Sequence, residues 1–486
     1  YLMMDNLPKA ALYGKEAVDQ DPENKWYRLK LAEIYRNAGR NEATLEELTT
    51  LLEYHPNDLD VLFMLADTYR DYGEFVRSNQ TLDQVLMKTG PDPSVYFMKF
   101  RNFESLSIAD SAIVQLEKIR QEDPDNLEML NLLGQYYART SNSTEAKEIL
   151  GDALVRNSRD PQSLINLAGI YLDEQEWDSA GTLLTDFISD PLINAEAKMN
   201  IARFLYSRVR EDVQNIQLKV ETERVLDAFT ATEQKFGPAF TLTGEYYAQI
   251  GQPEKALENL EKANDLLPQD EIAWRQRLQL LLQEQQYEKV VEVGKKAHES
   301  VPDDAFVQFF TGSAYLMLDQ NKEAEEWLEN ASRAPARRPF KSVVYGTLGD
   351  VRGNLEKHES AKEAYELALR YDPENDNAMN NYAYNLAVRG ENLERAKELA
   401  LKAIEIAPEN PSYLDTVGWV YYKLEDYDRA RRFIKLSIDT GDPNAEVMEH
   451  MGDVYEKLGD LDEAREWWRQ ALEKDPERTY LKEKIN

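Results

Sequence analysis

The chain has 486 residues, of which 42% are apolar, and 90 acidic residues against 57 basic ones give a formal charge of −33. That is apolar enough to bury a core, and the absence of cysteine excludes disulfides, thiolate metal sites and a cysteine nucleophile. The acidity is unsuited to phosphate backbones or anionic lipid, so a cationic protein surface or peptide is the matching partner, although such charge also keeps a long chain soluble. No apolar run reaches the roughly 18 residues that a membrane span needs.

From the first residue onward the pattern is helix, turn, helix. Counting back from Pro22, Ala10 and Ala17 fall on small-residue positions of a second helix and Tyr1 on the last large position of a first. Residues 1–24 therefore read as a partial repeat, with native residues expected upstream that would include any export signal. Pro22 and Pro56 stand 34 residues apart, as do Pro268 and Pro302. This period places thirteen complete repeats at 25–58, 59–92, 93–126, 127–160, 161–194, 195–236, 237–270, 271–304, 305–338, 342–375, 376–410, 411–444 and 445–478.

These group into an array at 25–194, an expanded repeat at 195–236 with longer helices, and a central array at 237–338. A phase break at 339–341, an array at 342–478 and a capping helix at 479–486 follow. Lys99 and Phe100 occupy positions where Leu and Gly are expected, which predicts irregular packing of that helix. The clearest copies read Leu130, Leu133, Gly134, Tyr137, Ala146, Leu150, Ala153 and Met448, Met451, Gly452, Tyr455, Ala464, Trp468, Ala471, Pro476. Large residues at three- and four-residue spacing make one helical face, the glycine and alanines allow close helix approach, and the proline ends the second helix.

This pattern resembles the tetratricopeptide-repeat (TPR) family, whose signature is W-x2-L-G-x2-Y, then A-x3-F, then P. The resemblance implies an all-α superhelical solenoid of antiparallel helix pairs that binds protein or peptide partners rather than catalysing a reaction, with no cofactor. It also implies which positions of each first helix face a ligand. Most repeats carry ordinary polar residues there, such as Glu128, Asn131 and Gln135. Phe306, Phe309 and Phe310, then Asn377, Asn380, Asn381 and Tyr384, then Asp415, Trp419 and Tyr422 are the unusual ones. Amides suit a peptide backbone and aromatics anchor interfaces, so these define a candidate partner groove; packing between neighbouring repeats is the competing reading. Arg333, Arg337, Arg338 and Lys341 form a candidate basic contact loop, or a solvated one.

Asn166 and Asn381 fall on one position of the two-carboxylate clamp found in chaperone-tail TPRs, but the flanking lysines and arginine are absent. His55, His298, His358 and His450 have no second histidine a turn away and read as surface or groove residues. No phosphate-binding glycine loop precedes a helix.

The stretch 376–472, with Asn380-Asn381-Tyr382-Ala383-Tyr384, Leu414-Asp415 before Gly418-Trp419, and Glu449-His450 before Gly452-Asp453, looks like the long TPR lipoproteins of Gram-negative envelopes. Some of those are adaptors for a C-terminal processing protease. That likeness implies a periplasmic, outer-membrane-associated protein with a lipid anchor upstream. A fixed subunit of a larger bacterial complex, cytoplasmic or envelope, and a regulatory segment of an enzyme are the alternatives.

Overall fold

A computed structural model describes residues 6–486. The reading of Tyr1 lies outside the described residues. Those residues form helices joined by short turns, with no strand among them. They divide into two compact units, one ending at Gln234 and the other Lys235–Asn486. Each unit is a run of antiparallel helical hairpins, and each hairpin buries against the next the apolar stripe that it cannot cover alone.

The local chemistry of the hairpin is readable at single residues. Asn375 starts the Asp376–Arg389 helix by accepting a hydrogen bond at 2.9 Å from the Ala378 amide, and Asn126 does the same for Met129 at 3.2 Å. Trp468 is 1% exposed and lies over Gly452, where an added Cβ would stand 2.5 Å from the indole Cδ1. Any larger residue at 452 would push the two helices of that hairpin apart. At the ends of two second helices, Pro373 and Pro476 follow the caps Asp372 and Asp475, as their missing amide hydrogen requires.

In the first unit, Leu7–Gln20 buries Ala10 and Val18, with Ala17 half-buried. The expanded repeat consists of Ala195–Glu211 and Ile216–Thr232, each of 17 residues. Its extra turns carry Lys198, wholly buried, whose Nζ lies 2.7 Å from Glu233. The expected irregularity at Lys99 and Phe100 does not occur: Pro93–Ser105 is a regular helix. Phe100 is buried edge-on to Tyr136, with ring centroids 5.2 Å apart, and Lys99 buries its stem while its ammonium pairs with Asp83.

In the second unit, residues 339–341, the break in the repeat phase, lie inside a helix. They belong to the first turn of Arg338–Asn354, a 17-residue helix, so the three extra residues lengthen a helix instead of a loop. After Leu461–Lys474 a single turn, Leu481–Ile485, lays Leu481 against Trp468 and closes the apolar end of the last hairpin. Among the described residues no helix is long and apolar enough to cross a membrane.

Candidate functional site

The first helices of the last four hairpins, Arg338–Asn354, Asp376–Arg389, Pro411–Lys423 and Ala445–Leu458, enclose a cavity of about 460 Å³ in the second unit. Their polar residues recur near the repeat period, so side chains 31 to 35 positions apart meet across neighbouring helices. Asn381 donates from Nδ2 to both oxygens of Asp350 at 3.1 Å, and the Tyr365 hydroxyl donates to the same carboxylate at 2.8 Å. Asn380 is 7% exposed; its Nδ2 donates to Asn381 Oδ1 at 3.2 Å, whereas its own Oδ1 receives no hydrogen bond. On the far wall the Tyr384 hydroxyl donates to Glu446.

Burial pushes the Asp350 carboxyl up to about 6, against the opposing pull of the hydrogen bonds from Tyr365 and Asn381. Behind the cavity His450 is buried, with Nδ1 3.0 Å from Asp415 Oδ2 and its ring stacked 3.9 Å from Trp419. Burial alone would lower this imidazole, but the facing Asp415, with Glu446 and Asp453 beyond it, more than offsets that, so its pKa is raised. An Asp–His pair orients a nucleophile in many hydrolases; here the ring is covered by Trp419, so the pair ties two hairpins together.

Of the residues picked from the sequence, Asn380, Asn381, Tyr384 and Asp415 line the cavity. Asn377 lies exposed one turn before Asn381 and is 3.5 Å from its amide nitrogen. Trp419 and Tyr422 do not line it: they stack on each other at 4.6 Å, and Trp419 is 9% exposed. Phe306, Phe309 and Phe310 lie outside it as well. Phe306 stacks on Phe340 at 4.0 Å, Phe309 meets the same ring edge-on at 5.3 Å, and Phe310 packs into the core around Leu278.

The four cations do not form a loop. Arg333 ends the Asn321–Arg333 helix and pairs with Glu329 at 2.9 Å; Arg337 stands just before the next helix without a side-chain capping bond. Arg338 donates to the Arg370 carbonyl at 2.9 Å. Lys341 is buried and donates to the carbonyls of Ser332 and Ala334, closing the C-terminal end of the preceding helix. Burial holds its pKa below the ordinary lysine value.

Among the histidines, His358 lines the cavity, His55 bonds the Glu23 carbonyl at 2.9 Å, and His298 meets Trp327 edge-on at 5.1 Å. His450, expected at the surface or in the groove, is instead buried because Asp415 supplies its counter-charge. Asp350, Tyr365 and Glu446 were not legible as site residues, nor was the burial of His450. The available signal was spacing, since His450 follows Asp415 by 35 residues and Asn381 follows Asp350 by 31.

The first unit has a comparable polar patch, a hollow of about 400 Å³ lined by Asn131, Gln135, Asp160 and Gln162. Asn131 Nδ2 donates to Asp160 at 2.9 Å and Asn166 Nδ2 to Asn131 Oδ1 at 3.2 Å. Gln162 and Gln135 both donate to Asn166 Oδ1, at 3.0 and 3.3 Å.

Hairpins of this length and packing, with polar first helices around a groove, define a helical repeat protein of the interaction-scaffold class. The tetratricopeptide-repeat family models match residues 343–375 and 445–478. Over these two stretches the chain carries tetratricopeptide repeats. It is similar to the TPR repeat-containing protein PA4667 of Pseudomonas aeruginosa, with 25% identity over 179 residues, covering 36% of this chain and 27% of that one. It is also similar to the BBSome complex member bbs-4 of Caenorhabditis elegans, with 24% identity over 173 residues, covering 34% and 37%. The chain thus spans well under half the length of either relative. Among solved structures, the APC/C hetero-tetramer Cut9-Hcn1 aligns over 95% of this chain and 96% of that one, with a TM-score of 0.44 and 14% identity.

Proposed function

We propose that the chain is a scaffold that holds an extended segment of a partner protein in the groove of its last four hairpins. The observation that carries this is the 460 Å³ cavity, whose wall presents amides and carboxylates from successive first helices where an apolar core residue would have been cheaper to fold. Asn380, Asn381 and Asn385 can each give and take hydrogen bonds, as a peptide backbone requires. Nothing in this role needs chemistry from the scaffold: joining two partners on one body raises their effective concentration.

The narrower reading is an adaptor of the bacterial envelope, periplasmic and tied to the outer membrane by a lipid upstream of this chain, presenting substrates to a processing protease. The envelope-like sequence of 376–472 and the similarity to a Pseudomonas aeruginosa TPR protein support it. A fixed subunit of a larger assembly is the second reading, supported by the similarity to a protein named as a BBSome complex member.

A photo-crosslinking residue at Val388, half-exposed on the cavity wall, should capture the partner, whereas the same residue at exposed Leu436, away from the cavity, should not. Equal capture at both positions counts against the groove. Mass spectrometry of the adduct then separates the roles: a processing protease or its substrate supports the adaptor, and stoichiometric subunits of one complex support the assembly role.

A further inference from the structure

Three carboxylates, Asp350, Asp415 and Glu446, line the second-unit cavity against a single arginine. Asp350 receives hydrogen bonds only from neutral groups, the Tyr365 hydroxyl and the Asn381 amide. Glu446 receives the Tyr384 hydroxyl. Asn380, more than nine-tenths buried in the wall, has an amide oxygen with no donor at all. The one arginine of the lining, Arg389, is paired with Glu391. A wall built this way accepts hydrogen bonds and negative charge is its dominant field, so the complementary occupant is a donor-rich cation. A metal ion does not fit, because among the described residues no three His, Asp or Glu side chains are grouped to hold one.

We propose that this cavity takes a lysine or arginine side chain of the extended partner segment, with its cationic head between Asp350 and Glu446 and its neighbouring backbone amide on Asn380. The proposal rests on the groove reading and gives it a ligand chemistry. A chain carrying a formal charge of −33 attracts such a segment from a distance, and the cavity supplies the selective step. The cation restores the charge partner that Asp350 lacks, so the carboxyl that burial holds near 6 should fall on binding.

The test uses the full chain and fluorescein-labelled nonapeptide pools with degenerate small uncharged flanks. The central residue is arginine, lysine, citrulline or norleucine, and binding is read by anisotropy. Arginine and lysine pools should bind about tenfold tighter than their citrulline and norleucine counterparts, the gain expected of a charge-assisted hydrogen bond. Asp350→Asn and Glu446→Gln should each reduce that preference while the helical signal at the assay temperature is unchanged. Equal affinity for all four pools, lost in Asn381→Ala, overturns the cation proposal and leaves the groove standing. Absence of binding by every pool overturns the groove reading and this proposal with it. Binding of free spermidine without binding of either cationic pool overturns the peptide source.

Discussion

Asn166 and Asn381 occupy the same position in repeats of different units, and their surroundings have diverged. Around Asn166, amides bond amides and end on Asp160, which also caps its own helix through Ser163. Burial raises the Asp160 pKa, but the Ser163 hydroxyl, the Asn131 amide and the Ser163 backbone amide together outweigh it and hold the carboxyl below its ordinary value. Around Asn381, the hydrogen bonds end on Asp350, where burial wins and the carboxyl rises to about 6. One network closes on itself. The other leaves an amide oxygen of Asn380 without a donor, and the Asp350 carboxylate bonded by neutral groups with no cation. A satisfied polar patch is part of the fold; one left incomplete at a cost in stability is where a ligand has something to gain.

The contrast can be broken most severely from behind the second cavity. Trp419→Ala removes the ring stacked on His450 and should destabilise the second unit by about 3–5 kcal/mol, read by calorimetry. A small loss would mean that the stack is incidental and that Trp419 is available to the groove after all.

The asparagines themselves give a more direct comparison. Asn381→Ala strips from the Asp350 carboxylate the one amide that bonds both of its oxygens and should cost about 2 kcal/mol, whereas Asn166→Ala, in a half-open patch of neutral amides, should cost about 0.5–1 kcal/mol. Equal losses in denaturant titrations would erase the distinction drawn here.

A pH dependence gives a further comparison. Because Asp350 binds its proton more tightly folded than unfolded, its contribution to stability is greatest below the ordinary carboxyl pKa and is lost as pH rises through about 6. Relative to Asp350→Asn, the native chain should therefore lose about 1.4 kcal/mol between pH 5 and pH 8. A difference that stays flat over that range would show the carboxyl to be better solvated than its burial implies.

Much of this molecule was legible in the residue order. The proline period, the Gly452 and Trp468 pair, and the alanines of most second helices fixed hairpins of known length, because close packing of two helices leaves few residue choices at the contact. Asn380, Asn381, Tyr384 and Asp415 were found by position within the repeat. Trp419 and the three phenylalanines were found by the same rule and lie elsewhere, since position gives the face of a helix but not whether a neighbour covers it.

By itself the sequence determined the class of the fold, the repeat length and the register, for these follow from local periodicity that any helix must obey. Only the tertiary structure decided that Lys341 closes a helix end, that His450 sits buried on Asp415, and that Asp350 faces a cavity without a counter-ion. Those outcomes depend on how far one hairpin is turned against the next. Partners 31 to 35 residues apart come into reach only once that angle is set.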